Sequence, residues 1–418
     1  MMPPHESLVT LSIISLATAG VVIRPFRLPE AIWATAGAAA LVLCNFLTAG
    51  EAWRGVVKGL DVYLFLIGMM LSAELARNEG LFDYLAAFAV EHARGSPSRL
   101  FLLVYAVGTV VTVFLSNDAT VIVLTPAVYA ATRAAGANPL PYLFACAFIA
   151  NAASFVLPIS NPANLVVFGE RMPHLFEWLR QFTLPSVAAI ILTYVVLRLT
   201  QRRALAKENI KSRVPHPALG RGGKLAAIGV AATGLVLLTA SALDVQLGLP
   251  TFICRLVTAA IVLALSRQSP WPVIKGMSWS ALPLVTGLFV MVEALLKTGA
   301  ISQLSAILHE AVEKSVTQTA WGTGVVTAIA DNIVNNLPVG LIGGSVAAND
   351  HLPPPVLGAM MIGVDLGPNL SVTGSLATIL WLVALRREEI MVTAWRFLQI
   401  GVLVTPPALL AALAAAIL

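Results

Sequence analysis

Charged residues are scarce in this sequence. Lys, Arg, Asp and Glu together make up 11% of its 418 residues, whereas a soluble domain carries roughly a quarter. Hydrophobic residues make up 58%, and the mean hydropathy is +0.85. Apolar windows long enough to cross a bilayer recur along the chain, and the short alternating segments of a membrane barrel are missing. The composition excludes a soluble domain and predicts an all-α polytopic membrane protein.

Cysteine is equally scarce. Cys44, Cys146 and Cys254 lie far apart, and no Cys-x-x-Cys or Cys/His spacing accompanies them. The sequence therefore indicates neither a metal site nor a disulfide framework, and we expect no cofactor. It also lacks the His-Glu-x-x-His and Gly-x-Ser-x-Gly patterns that are typical of hydrolases. These absences favour a transporter over an intramembrane enzyme.

The basic residues indicate how the chain is oriented. The most basic stretch is 201–222, and basic loops stay in the cytoplasm. We therefore predict an inner (plasma) membrane protein with this loop cytoplasmic and both termini outside. The net charge of +5 follows from such loops and indicates no nucleic-acid partner besides the lipid bilayer itself. We predict spans near residues 7–23, 29–49, 60–77, 182–200, 224–242, 250–266, 280–297 and 391–417.

Two polar clusters interrupt apolar stretches. Ser-Asn-Asp at residues 116–118 and Asn-Asn at residues 335–336 each lie in a stretch long enough to enter a membrane. Polar groups at that depth are costly, so they are functional-site candidates by default. We expect each cluster to be the tip of a re-entrant helical hairpin, at residues 99–135 and 316–349. Two complete spans at each place are the alternative that length permits. We expect no Lys or Arg within the membrane near the tips.

Proline and glycine break two further apolar stretches. Pro158 and Pro162 interrupt residues 141–170, and Gly367, Pro368 and Gly374 interrupt residues 353–385. Each break removes regular backbone hydrogen bonds and frees carbonyl and amide groups within the membrane. Packing kinks would have no reason to recur at corresponding points. We therefore predict two broken transmembrane helices that supply ligand groups.

Comparison of the two halves predicts an internal repeat. Segment 68–80 matches 287–299 at an offset of 219 residues, and the polar clusters match at the same offset. The broken stretches match at an offset of 213. Because the second half begins on the cytoplasmic side, we expect inverted repeats with a substrate site near the midplane. The predicted organisation is a first inverted repeat at 1–200, the basic cytoplasmic linker at 201–222 and a second inverted repeat at 223–418.

Three acids stand near the breaks: Asp118, Asp331 and Asp365. A carboxyl group held away from water can exchange protons at cellular pH. We assign proton coupling to Asp118 and Asp365. Glu74 and Glu293 occupy matching positions close to the ends of their predicted helices, and we interpret them as interfacial residues.

At these motifs the sequence resembles the ion transporter superfamily. Residues 116–120 are similar to the hairpin tip of dicarboxylate/sodium symporters, which carry Ser-Asn-Thr there, and residues 158–164 are similar to their broken fifth helix. Within the superfamily, residues 117–120, 160–164 and 335–338 resemble the arsenite/antimonite efflux permease family. The resemblance covers essentially the whole chain.

The resemblance implies export of arsenite and antimonite in exchange for protons, either alone or with a separate ATPase subunit. The chain differs from the symporters in having Asp118 where they have Thr, and an acid disfavours a polyanion. Neutral As(OH)3 suits amide and hydroxyl groups better. A sodium-coupled di- or tricarboxylate transporter and a Na+/H+ antiporter of the same superfamily are the alternatives. The residues predicted to bind the substrate are Ser116, Asn117, Asn161, Asn164, Asn335, Asn336, Asn369, Thr373 and Ser375.

Overall fold

The computed structural model describes residues 3–169, 172–206, 210–211, 214, 218–243, 245–349 and 352–417. Within these ranges the chain is helical, with short 3-10 and π segments and no strand. The predicted all-α class is thereby confirmed. Of the predicted linker, residues 207–209, 212–213 and 215–217 lie outside the described residues.

The first half is a succession of helices joined by short turns. A π segment, Thr120–Leu124, joins two of them, and 3-10 turns occur at Pro25–Arg27 and Pro158–Ser160. The α-helices are α1 (Pro4–Ile23), α2 (Glu30–Leu43), α3 (Ala49–Lys58), α4 (Leu60–Asn78), α5 (Leu81–Ala93), α6 (Pro97–Leu115), α7 (Asn117–Ala119), α8 (Thr125–Ala134), α9 (Leu140–Ala152), α10 (Pro162–Phe168) and α11 (Leu175–Leu205).

The second half has a similar order of elements. A 3-10 turn at Gly367–Asn369 follows the eighth of its helices. The α-helices are α12 (Arg221–Ala242), α13 (Gly248–Ser266), α14 (Trp271–Gly276), α15 (Ala281–Thr298), α16 (Ala300–Lys314), α17 (Val316–Val334), α18 (Asn336–Asn349), α19 (Pro354–Leu366), α20 (Leu376–Arg387) and α21 (Ala394–Ile417).

Several helices are long and apolar enough to cross a bilayer. In the described ranges these are α1, α6, α11, α12, α13, α15 and α21, and the bent pair α3 and α4 makes an eighth candidate. A multi-pass membrane protein follows from this number of spans. Most predicted spans coincide with these helices, but the span predicted at 29–49 is wrong in its extent. There α2 ends after 14 residues because Asn45 adopts a left-handed φ of 60°, and Thr48 then caps α3.

The two halves share matching helix lengths and caps. Helices α6 and α17 both have 19 residues and lie 219 positions apart. Ser96 and Ser315 cap them in the same way, since each hydroxyl accepts a hydrogen bond from the third following backbone amide. Gly80 and Gly299 take φ values of 73° and 83°, which turn the chain between the preceding helix pairs. These matches are consistent with the predicted repeats.

The broken helices lie in the centre of the molecule. Helices α9 and α19 have 13 residues each, and nearly all of their side chains are buried because they are apolar on every face. The two halves exchange contacts around them. Helix α7 of the first half packs on α20 of the second, and α18 of the second half packs on α10 of the first. This exchange brings the predicted hairpin tips and broken helices to one region.

Candidate functional site

The first hairpin tip is a sharp reversal between α6 and α7. Ser116 has φ 90° and ψ 160°, a conformation that is costly for any residue other than glycine. Asn117 follows it and is 3% exposed. Its Oδ1 accepts a hydrogen bond from the backbone amide of Asp118 at 2.9 Å. Its Nδ2 has no hydrogen-bond partner among the described residues.

The second tip has the same backbone shape. Asn335 has φ 78° and ψ 150°, and its Nδ2 donates to the Thr373 carbonyl at 3.2 Å. The backbone amide of Asn336 donates to the Gly374 carbonyl at 2.9 Å, which attaches this tip to the second broken helix. The Asn336 side chain is buried, and within the described part of the chain its amide makes no hydrogen bond.

The two free amides occupy corresponding positions. Asn117 and Asn336 lie 219 residues apart, and each is the first residue of the helix that follows its tip. Buried polar groups are almost always hydrogen-bonded. Two unsatisfied amides at matching tips therefore indicate positions where a polar ligand can bind.

Each broken helix resumes at a capped N-terminus. Asn161 caps α10 through a hydrogen bond that its Oδ1 accepts from the Ala163 amide at 3.0 Å. Ser375 caps α20 through a hydrogen bond that its Oγ accepts from the Thr378 amide at 3.1 Å. The two caps lie 214 residues apart, as do the starts of α9 and α19. The helix ends thus place the correspondence one residue further than the offset of 213 predicted from sequence.

Side chains of the two breaks bond to each other across the halves. Asn161 Nδ2 donates to Asp365 Oδ1 at 2.6 Å, and Asn151 Nδ2 donates to Asn369 Oδ1 at 3.0 Å. Ser375 Oγ donates to Asn151 Oδ1 at 3.5 Å. The structure therefore brings Asn161, Asp365, Asn369 and Ser375 together, as the sequence predicts. It adds Asn151, which the sequence analysis did not single out.

Asn164 lies inside the first break and is already fully used as a donor. Its Nδ2 donates to three carbonyls of the irregular segment, those of Ser154, Leu157 and Pro158, at 2.9 to 3.2 Å. These carbonyls lost their helical donors where the helix stops. The contacts place Asn164 in support of the broken backbone, with its Oδ1 buried and unpaired.

A second network holds the other break. Asn332 Nδ2 donates to the Gly367 carbonyl at 3.0 Å, and Ser371 Oγ donates to Asn332 Oδ1 at 2.7 Å. Thr373 Oγ1 donates to the Asn332 carbonyl at 2.9 Å. The sequence analysis predicted Thr373 but missed Asn332 and Ser371. The available signal was Asn332 itself, a second amide one helical turn before the tip.

Two buried carboxyl groups lie side by side between α17 and α19. Asp331 and Asp365 are both 0% exposed, and they are close enough to interact electrostatically. Both oxygens of Asp331 and Oδ2 of Asp365 have no hydrogen-bond partner. A Cβ on Gly367 would lie 2.9 Å from Asp331 Oδ2, so only glycine fits there. An unpaired buried charge costs several kcal/mol, which favours at least one bound proton on this pair.

Arg255 corrects the expectation that no Lys or Arg lies in the membrane near the tips. It belongs to the apolar helix α13 and is 1% exposed. Its guanidinium donates to Ser72 Oγ at 2.9 Å and to the Phe114 carbonyl at 3.0 Å. Phe114 is the second residue before Ser116, so the cation lies at the carbonyl end of α6, where it is electrostatically favourable. A single charge in an apolar run was the signal for it.

The largest cavity lies outside this constellation. It has a volume of about 600 Å³ and is bounded mainly by apolar side chains of α16, α17 and α18. None of the predicted substrate-binding residues lines it. The cavity does not change which residues form the candidate site.

Known proteins resemble this chain over most of its length. The model of the family described as CitMHS, citrate transporter, matches residues 17–364. An arsenical pump membrane protein of Escherichia coli is 29% identical over 369 residues, which cover 84% of each chain. One from Yersinia enterocolitica is 27% identical over 407 residues, 92% of each chain.

A solved structure resembles the fold. The Alcanivorax borkumensis YdaH transporter has a TM-score of 0.59 and 15% sequence identity, with 99% of this chain and 98% of that chain covered. At this identity the likeness concerns the fold alone. It agrees with a transporter-type arrangement of helices.

Proposed function

Because this chain belongs to the CitMHS family of citrate transporters, we propose that it exports arsenite and antimonite from the cytoplasm in exchange for protons. The chain is a multi-pass membrane transporter that resembles the arsenical pump membrane proteins over most of its length. The proposal adds the substrate species, As(OH)3 and Sb(OH)3, the proton coupling and an alternating-access cycle.

The pair of free amides at the two tips is the observation that carries the proposal. Asn117 and Asn336 are uncharged, buried and without hydrogen-bond partners in the described part of the structure. As(OH)3 is a small neutral centre with three hydroxyl groups, each able to donate and accept a hydrogen bond. Neutral amides match such a ligand without leaving a buried charge unpaired.

The remaining predicted residues would complete or support the site. Asn161, Asn369 and Ser375 lie at the breaks and bond to each other or to Asn151 and Asp365. Ser116 and Asn335 shape the tips. Thr373 and Asn164 stabilise the irregular backbone. Substrate binding would exchange some of these bonds for bonds to the arsenic hydroxyls.

Proton coupling is assigned to buried carboxyl groups. Asp118 lies directly after the first free amide, and Asp365 donates no hydrogen bond but accepts one from Asn161. Asp331 shares the buried position of Asp365 and would share its proton. Release of that proton on the cytoplasmic side would leave a charge that favours reorganisation of the breaks.

The cellular arrangement follows the charge pattern. We place the chain in the inner (plasma) membrane with the basic 201–222 segment cytoplasmic and both termini outside. Coupling to protons allows the chain to work alone. A separate arsenite-stimulated ATPase subunit would be an additional soluble partner at the cytoplasmic face.

Transport in everted vesicles tests the proposal. Vesicles that contain the purified chain are given an inside-acid proton gradient and external As(III). Accumulation of As(III) that collapses when an uncoupler is added supports the proposal. No movement of As(III) under this gradient contradicts it.

One observation favours a second candidate, a sodium-coupled carrier of di- or tricarboxylates. Arg255 places a buried cation beside the first tip, and a cation there would offset part of the charge of a carboxylate. The same vesicles, given a sodium gradient with citrate or succinate, decide between the candidates. Sodium-dependent carboxylate uptake without As(III) movement would replace the substrate and keep the site.

A further inference from the structure

A small cavity adjoins the first hairpin tip. It has a volume of about 30 Å³ and is bounded by the side chains of Ser116, Asp118, Glu74 and Ser278 among apolar neighbours. A water molecule needs roughly 10–15 Å³ of such volume and two to four polar partners. The cavity has room for about two waters and supplies hydroxyl and carboxyl groups to hold them.

The polar groups that face the cavity include one that lacks a partner. Ser116 is 4% exposed, and its Oγ makes no hydrogen bond to any described residue. The Asp118 carboxyl likewise has no protein donor in the described ranges, since its only hydrogen bond is made by its backbone amide. Unsatisfied polar groups that line a cavity of this size indicate that it holds water.

Glu74 connects this cavity to the surface. The residue is 6% exposed, and its Oε2 accepts hydrogen bonds from Arg77 Nε at 2.8 Å and Nη2 at 2.6 Å. The Arg77 side chain is 48% exposed. Glu74 therefore has one side against the cavity and the other against a cation that reaches the aqueous phase.

Few other charges face this path. Helix α14 passes directly against Glu74 at Gly276, and its Lys275 lies over the Trp271 ring with its Nζ 5.3 Å from the centroid. Helix α13 contributes Arg255, which is hydrogen-bonded to Ser72 Oγ and to a carbonyl of α6. Helix α10 carries no ionisable residue. Glu74 and Asp118 are thus the two acids that share the cavity.

We propose that Glu74 relays protons between Asp118 and the aqueous phase beside Arg77, through water held in this cavity. In the release direction the Asp118 O–H bond breaks, its proton passes along the waters to a Glu74 oxygen, and Glu74 then gives a proton to bulk water. The Arg77 guanidinium stabilises Glu74 as a carboxylate before each transfer. The inference rests on the proposed proton exchange at Asp118 and makes Glu74 a positioning residue for it.

The second half supplies a matched control. Glu293 corresponds to Glu74 at the offset of 219 and forms an ion pair with Lys58. At the second tip the residue that corresponds to Asp118 is Leu337. Glu293 therefore shares the chemistry and helix position of Glu74 but has no tip acid to serve.

A pH-jump infrared experiment on the purified chain in lipid nanodiscs tests the relay. The carboxyl band that is lost in Asp118→Asn identifies Asp118, and its change is followed in time after the jump. We expect Glu74→Gln to slow this change about tenfold or more, because a positioned acid/base group is lost. Glu74→Asp should recover most of the rate, and Glu293→Gln should match the wild-type chain.

The outcomes separate the relay from the transported species. An unchanged rate in Glu74→Gln, an equal slowing in Glu293→Gln, or a wild-type chain without an Asp118 band that responds to pH overturns the relay. No As(III) enters this measurement, so a chain that fails to move arsenite would contradict the proposed function and leave the infrared result decisive. If the chain moves arsenite, Glu74→Gln should keep As(III)/As(III) exchange and lose gradient-driven accumulation.

Discussion

At the scale of single residues, the asparagines of the site divide into two groups. Asn161, Asn164 and Asn369 use their amide nitrogens on protein acceptors. Asn117 and Asn336 leave theirs free within the described residues, although both are buried. A residue whose amide is already bonded supports the scaffold, whereas a free amide gains a partner only from a ligand.

Substitution should distinguish the two groups. We expect Asn117→Ala and Asn336→Ala each to raise the KM for As(III) about threefold to tenfold, the value of one neutral hydrogen bond, with little change in stability. Asn164→Ala is the contrasting variant. It leaves three buried carbonyls without a donor, so it should lower the melting temperature measured in detergent. Normal arsenite transport by Asn117→Ala would reduce that residue to a helix-end structural role.

The buried acids give a second residue-scale prediction. In Asp365→Asn and Asp331→Asn the side chain keeps its size but cannot release a proton. We expect both variants to lose As(III) accumulation that is driven by a proton gradient, with no loss of folding, because a buried carboxyl without partners is not a stabilising group. The exposed Asp83 provides the control, and Asp83→Asn should behave like the wild-type chain. Wild-type proton dependence in Asp365→Asn would show that the coupling assignment is wrong.

At the scale of elements, both hairpin tips contain strained backbone. Ser116 and Asn335 hold φ values of 90° and 78° in a region reserved for glycine, at a cost of about 1–3 kcal/mol each. The π segment Thr120–Leu124 follows the first tip, and such segments occur frequently at functional sites. The tips therefore combine strain, irregular helix and free amides in a few residues.

Relief of the strain should be measurable. We expect Ser116→Gly to raise the apparent melting temperature, because glycine adopts this backbone freely and the Ser116 hydroxyl has no described partner to lose. The control is Ala119→Gly, three residues later, where φ is −61° and ψ is −42°. Glycine in that helical position should cost roughly 1 kcal/mol. A melting temperature for Ser116→Gly that falls as far as that of Ala119→Gly would contradict the strain.

At the scale of the whole molecule, the two halves complete each other. The tip of each half packs against the broken helix of the other half, and the hydrogen bonds of the breaks join residues more than 200 positions apart. Neither half can form the site alone. Such an arrangement is typical of transporters whose repeats meet at the membrane midplane.

The orientation of the whole chain is open to labelling. In a Cys44→Ser background, an impermeant maleimide applied to intact cells should label Gly50→Cys and leave Ala218→Cys unlabelled until the cells are permeabilised. Both positions are exposed, and the basic segment near Ala218 is expected to stay in the cytoplasm. The reverse labelling pattern would contradict the proposed orientation and the direction of export.

The sequence by itself determined the all-α membrane class, most of the spans, the places where helices break and the residues at both tips. These features are local, because apolar length, proline, glycine and polar clusters act on the segment that contains them. It did not reveal Asn151, Asn332 or the buried cation at Arg255. Nor did it show that Glu74 faces Asp118.

Only the tertiary structure decided which side chains remain free to bind. Asn117 and Asn164 look equivalent as asparagines in apolar stretches, yet one has a free amide and the other donates to three carbonyls. The difference depends on partners brought in by folding, some of them from the other half of the chain. A hydrogen bond between residues more than 200 positions apart leaves no local pattern in the sequence, because its geometry exists only after the two halves have packed together.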